Sequence, residues 1–119
     1  MSIRKTYPLQ AYKIMHGLWC MGQMMFTKYI VVVDDVDVHN TSEVLFRLCA
    51  NTDLQRDSIF IKGPADVLDH ATSEIAIGTK LGIDATRRLA GEGHKRPWPP
   101  LIRMTNDVRK KIDSLLGHK

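Results

Sequence analysis

Cysteine is scarce in this chain. Cys20 and Cys49 are the only two, and neither has a CxxC partner or a cysteine–histidine pattern nearby, which leaves zinc and redox motifs unsupported. Both fall in segments that read as helical and are expected as buried free thiols, since a free cysteine packs as a small hydrophobe. Aromatic residues are few, at 7%, and do not interleave with basic ones as they do in single-strand nucleic-acid binders. The net charge of +4 does not change this. Its carriers are dispersed as Arg4-Lys5, Arg87-Arg88, Lys95-Arg96 and Arg109-Lys110-Lys111, with aspartates between most of them, so no nucleic-acid partner is expected. No apolar run approaches the ~20 residues of a membrane span. Met1-Ser2-Ile3-Arg4-Lys5 opens no signal-type apolar run either, and the expected location is cytoplasmic. Internal repeats and low-complexity linkers are also missing.

What is present suits one soluble domain of 119 residues, with 44% apolar and 25% charged residues. A chain of this length buries roughly two-thirds of its unfolded surface and can hold a core without staples. From Pro8 to Phe26, the apolar residues Ala11, Ile14, Leu18, Met21 and Met25 recur every three or four positions and predict an amphipathic helix. Gly17 and Gly22 lie within it and suggest a close contact that needs small residues. Ile30-Val31-Val32-Val33 is a continuous β-branched run, the pattern of a strand covered on both faces. Asn40-Thr41-Ser42-Glu43 starts a second helix with apolar Val44, Leu45 and Leu48, and Asn51 ends it. Ser58 to Ile61 reads as a strand closed by Gly63-Pro64, which would complete a right-handed βαβ unit. Beyond Pro64, Val67-Leu68 suggests a short helix and Ile75 to Ile77 a short strand. Gly78, Gly82, Gly91 and Gly93 read as loop punctuation, and Pro97-Trp98-Pro99-Pro100 as an extended surface segment. A last helix begins near Asn106, with Val108, Ile112, Leu115 and Leu116 on one face. The fold class expected is α/β: a three-layer α/β/α sandwich around a mixed or mostly parallel sheet.

Several strings invite a chemical reading. Asp34-Asp35-Val36-Asp37-Val38-His39 places carboxylates at alternate positions, as a hard cation would want. Counted from Asp35, however, the obligatory glycine of a helix-loop-helix calcium site is Asn40 and its bidentate glutamate is Phe46. A strand-to-helix turn, a partner or cofactor contact and a cation site all remain readings of this string. Gly78 to Thr86 lacks the spacing of a phosphate-binding P-loop. The five histidines show no ligand spacing. Ser73, His70 and Asp69 are neighbours in sequence, but no nucleophile-elbow glycines surround the serine. Neither catalytic nor metal-binding residues can be assigned from these patterns.

Taken together, Tyr7-Pro8-Leu9-Gln10-Ala11, Gly22-Gln23-Met24, Phe26-Thr27-Lys28 and Asp35-Val36-Asp37-Val38 resemble the carboxy-terminal domain of the UbiD family of decarboxylases. So do Asp69-His70-Ala71 and, above all, Gly78-Thr79-Lys80-Leu81-Gly82-Ile83-Asp84-Ala85-Thr86. Glu92-Gly93-His94 with Trp98-Pro99 is similar to the menaquinone-biosynthesis branch. The resemblance implies a single domain over residues 1–119, with only Ser2-Ile3 left of the family's leading strand. It also implies reversible decarboxylation of aromatic or unsaturated acids with prenylated FMN and a divalent metal. The catalytic Glu-Arg-Glu set and the metal ligands would come from a preceding flavin-binding domain, which no segment here matches. This chain would then be a cleft wall and assembly domain, inert alone. Its expected partners are itself, with a homodimer favoured, and a flavin-binding UbiD domain in trans. In some members a lysine just before the Val-rich strand approaches the flavin phosphate, and Lys28 is the matching position; otherwise Lys28 is a solvated strand-start lysine. Thr72-Ser73, Cys20 and Leu89-Ala90 depart from residues common in the family. The alternative is a freestanding binding or assembly module that reuses the fold.

Overall fold

A computed structural model describes residues 1–117. Its centre is the β-branched run, which forms β2 (Tyr29–Asp34). Alternation along this strand divides the core in two. Ile30 and Val32 point to one face and pack with Ala11, Met15 and Trp19 of α1 (Gln10–Trp19). On the other face Val31 and Val33 meet Val36, Ala85 and the Val44 and Leu48 side chains of α2 (Thr41–Asn51). Helices therefore cover both faces, giving the expected three layers. Each fully buried aliphatic side chain here contributes about 1.5–3 kcal/mol.

The four-stranded sheet has the order β1-β2-β4-β3, with β1 (Ser2–Ile3), β3 (Ser58–Pro64) and β4 (Ile77–Asp84) joining β2. β1 and β4 run parallel to β2, whereas β3 runs antiparallel to β4. The expected right-handed βαβ unit from β2 through α2 to β3 does not form, because β3 runs antiparallel to β2, with β4 between the two strands. Composition explains the exchange. β3 carries Lys62, an exposed Phe60 and a terminal Pro64, which suit an edge strand. The α1-facing residues of β4, Lys80, Gly82 and Asp84, are all buried.

The segment from Gly78 to Asp84, read as glycine-driven turns, is thus the body of a strand, and the short strand expected at Ile75 to Ile77 is only its beginning. Gly82 is there for clearance. A Cβ at this position would lie 2.5 Å from Met15 Sδ and 2.9 Å from the Trp19 ring. The close contact inferred from Gly17 and Gly22 falls here instead, since neither would bring a Cβ within 4 Å of a neighbour.

The helix expected from Pro8 to Phe26 is interrupted after Trp19, and a 3₁₀ turn follows over Gly22–Phe26. Gly22 adopts φ +30°, and Trp19 Nε1 donates to the Thr27 carbonyl at 2.9 Å, folding the chain back into β2. Cys20 ends α1 at φ −92°, a conformation that needs no glycine, which accounts for one departure from the family pattern. Both cysteines are exposed, contrary to expectation, because Cys20 lies past the last core turn and Cys49 on the outer side of α2. Asn40 caps α2 as expected, its side chain accepting from the Glu43 N–H at 3.1 Å. The helix expected at Val67-Leu68 is absent. The Asp66 carboxylate takes the Leu68 N–H at 2.9 Å and makes a turn there.

The four-residue α3 (Leu54–Asp57) leads into β3. At the far end, α4 (Asn106–Leu116) is capped by Thr105 and closed by Gly117 at φ +66°. All of its residues are exposed.

Candidate functional site

The string from Gly78 to Thr86 does two jobs, and the first is structural. Asp84 and Thr86 are fully buried, and a chain of polar contacts runs through them. Lys5 Nζ donates to Thr86 Oγ1 at 2.8 Å, to the Arg87 carbonyl at 2.7 Å and to the Glu92 carboxylate at 2.7 Å. Thr86 Oγ1 donates to Asp84 Oδ1 at 2.5 Å, and Arg88 donates to Asp84 Oδ2 at 2.6 Å. Arg88 also lies 3.5 Å from Asp57, which Arg56 grips through two bonds of 2.7 Å. Glu92 accepts in addition from the backbone N–H groups of Leu9 and Leu89. Each charged group of this network thus has a partner, the condition under which buried ions are tolerated, and only the buried Arg88 Nε is left without an acceptor in it. The network ties the amino-terminal segment, α3 and the loop after β4 to one another.

The second job is at the other end of β4. Lys28 immediately precedes β2, and its carbonyl accepts the Leu81 N–H at 2.9 Å. Its position is therefore fixed by the sheet, while its side chain stays partly exposed. Lys28 Nζ lies 2.6 Å from Asp69 Oδ2. The lysine and the Ala71 N–H hold the Asp69 carboxyl below its ordinary pKa. Lys80 stands on the same side of β4, with its ammonium on the Met25 carbonyl, and burial lowers its pKa. The space between these groups is only about 10 Å³, room for about one water. This cluster can offer a single charged contact at the end of a larger anion, but it has no room to enclose a flavin.

On the opposite face of the same strands, ladder pairing sets Tyr29, Leu81 and Phe60 in one row. α2 does not reach this row, and Tyr29 and Phe60 are 67% and 69% exposed. A flat apolar wall is left open beside Lys28.

The remaining strings fall elsewhere. Asp34 is buried and accepts the Arg87 N–H at 3.1 Å, Asp35 bends the chain at φ +53°, and Asp37 takes the His39 N–H at 3.0 Å, so this string is built as a strand-to-helix turn. No three His, Cys, Asp or Glu side chains gather as a metal site among the described residues. Asp69 is engaged by Lys28 rather than by His70 or Ser73. Sequence reading missed Lys5 and the buried role of Glu92, since nothing local marks two charges that meet across 87 positions.

Residues 1–85 match the family model described as the 3-octaprenyl-4-hydroxybenzoate carboxy-lyase C-terminal domain, UbiD_C. An uncharacterised protein of Aquifex aeolicus is 46% identical over 96% of the chain, and one of Archaeoglobus fulgidus is 40% identical over 96%. The chain spans only 24% of each of these relatives. Among solved structures, the closed form of the vanillic acid decarboxylase of Sedimentibacter hydroxybenzoicus superposes with a TM-score of 0.83 at 28% identity, over 97% of this chain and 25% of that one. The UbiD-class enzyme HmfF of Pelotomaculum thermopropionicum, in complex with FMN, gives 0.64 at 26% identity, over 83% and 22%.

Proposed function

This chain belongs to the UbiD carboxy-terminal domain family, and from that we propose that it forms the cleft wall and assembly domain of a carboxy-lyase for aromatic or unsaturated acids. A flavin-binding UbiD domain, in the same chain or in trans, supplies prenylated FMN, the divalent metal and the catalytic carboxylates and guanidinium. When bound there, the flavin would supply the electron sink for decarboxylation, and Lys28 would hold its phosphate through one contact. The observation that carries this reading is Lys28 itself, locked to β4 through its backbone beside an uncovered apolar sheet face. Structures of HmfF with FMN and with prenylated FMN, and of the vanillic acid decarboxylase in open and closed forms, support a cleft of this kind. Glu92-Gly93-His94 and Trp98-Pro99 favour the menaquinone-biosynthesis branch. Such an enzyme works in the cytoplasm.

The pure chain is expected to be colourless and to release no carbon dioxide from an aromatic acid. With a flavin-binding UbiD domain added, Lys28→Ala should weaken flavin retention about tenfold, the size of one bond to a charged group. Asp69→Asn should strengthen retention, because it frees the Lys28 ammonium. Flavin titration followed by absorbance reads both, and unchanged retention in both variants would leave Lys28 a surface lysine. Yellow colour in the pure chain would refute the division of labour.

A further inference from the structure

Above the carboxyl ends of β2 and β4 lies a cavity of about 420 Å³ that shares no residue with the Lys28 cluster. The length of β2 separates the two sites by about 20 Å. Its size is that of a small-ligand site, and the carboxyl end of parallel strands is where such sheets hold ligands. Three guanidinium groups line it, from Arg47, Arg87 and Arg103, against the carboxylates of Asp34 and Asp35. Asp34 is already engaged, with the Arg87 N–H at 3.1 Å and the Arg87 guanidinium at 3.6 Å. Arg47 is not fully served. Its side chain is 12% exposed, its ion pair with Glu43 is 3.5 Å long, and its Nε is buried with no hydrogen-bond partner. A buried guanidinium donor without an acceptor is a rare and costly arrangement, shared among the described residues only by the Arg88 Nε, which lines no part of this cavity. The walls beside these charges are apolar and include Phe46 and Trp98, and Trp98 is held edge-on to His94 with centroids 5.0 Å apart.

We propose that this cavity binds a flat monocarboxylic acid, with its carboxylate on Arg47 and its apolar body against Phe46 and Trp98. Arg47 holds Glu43 only through a pair 3.5 Å long, and Arg103 forms no ion pair among the described residues, so the site can accept one more negative charge, and an arginine fork matches a carboxylate in shape. Asp34 and Asp35 disfavour a second negative charge, so a dianion such as phosphate is rejected. The site lies away from the Lys28 end of the sheet and does not depend on the cleft-wall reading.

Benzoate is a suitable probe, with neutral benzamide and inorganic phosphate as controls. Titration of the full chain, followed by Trp98 fluorescence and by the arginine Nε–H signals in NMR, should show saturable benzoate binding. Benzamide and phosphate should bind at least about tenfold more weakly. Trp98→Phe assigns the optical signal, since Trp19 is buried in the core. Arg47→Gln should weaken benzoate binding about tenfold or more. Arg103→Gln, at an exposed position that cannot disturb the core, should weaken it several-fold, and Lys28→Ala should leave it unchanged. Equal binding of benzoate and benzamide, or unchanged binding in both arginine variants, overturns the proposal. An Arg47 Nε–H signal that shifts with protein concentration in the absence of acid also overturns it, because the carboxylate would then come from a second copy of the chain.

Discussion

Lys5 is fully buried, and its ammonium has three acceptors drawn from the loop after β4. Removing one partner of such a pair strands the other, so Lys5→Ala should cost about 3–5 kcal/mol in urea denaturation. The pH dependence follows from its partner. Burial pushes the Glu92 carboxyl up, but Lys5 and the N–H groups of Leu89 and Leu9 outweigh burial and hold it below its ordinary value. Asp57 is likewise lowered, with Arg56, the Asp53 N–H and Arg88 overcoming desolvation. For both groups the unfolded carboxyl takes up its proton first as pH falls. Their contribution is therefore complete above the ordinary carboxylate range and is lost as pH drops through that range toward the lowered folded values. Lys5→Ala should flatten this acid limb, since Glu92 then loses its charged partner. Gly82 gives a second test at this scale. Gly82→Ala must push Met15 and Trp19 away and should cost about 1–3 kcal/mol. Gly17→Ala has open space around it and should stabilise by up to about 1 kcal/mol through helix propensity. Thermal unfolding of the two variants should move in opposite directions.

Among the elements, α4 stands apart. It spans 11 residues, and Val108, Ile112, Leu115 and Leu116 are 48%, 38%, 72% and 65% exposed. A helix of this length is marginal in water without packing to support it. Its amide protons should therefore exchange much faster than those of β2 and β4 in the isolated chain, and slow down once the apolar stripe is covered. A chain ending at Met104 should keep the urea midpoint of the parent, because both core clusters lie before Arg87. The elements also show how far pattern can be read. The cap and length of α2, the start of α4 and the β-branched strand were legible because each signal is local. The Gly78 to Asp84 strand was not, because Gly82, which looks like a turn former, is needed for clearance, and Asp84 for a buried charge. The break in the first helix was hidden for a similar reason: the stripe continues through Met21 and Met25, but the chain must turn there for Trp19 to reach the Thr27 carbonyl.

At the scale of the molecule, the Cα radius of gyration is 18.2 Å, whereas a compact chain of 119 residues would have about 13.5 Å. The difference lies in the carboxy-terminal segment that carries α4 away from the sheet. Exposed apolar area on α4 and on the Tyr29–Phe60 row is the kind of surface that partners cover. Two-fold pairing is the commonest closure, so light scattering at micromolar concentration should give twice 13.5 kDa or more, and removal of α4 should lower that mass. A mass of one chain for the parent would refute it. By itself the sequence determined the α/β class, the covered central strand, the capped α2, the amphipathic final helix and the family, because periodicity, caps and motif strings are properties of neighbours along the chain. Only the tertiary structure decided the strand order, the Lys28–Asp69 pair, the Lys5–Glu92 network and the arginine-lined cavity. Each of these joins residues far apart in the chain, and what selects them is clearance at Gly82 and the cost of burying an unpaired charge, neither of which leaves a periodic trace.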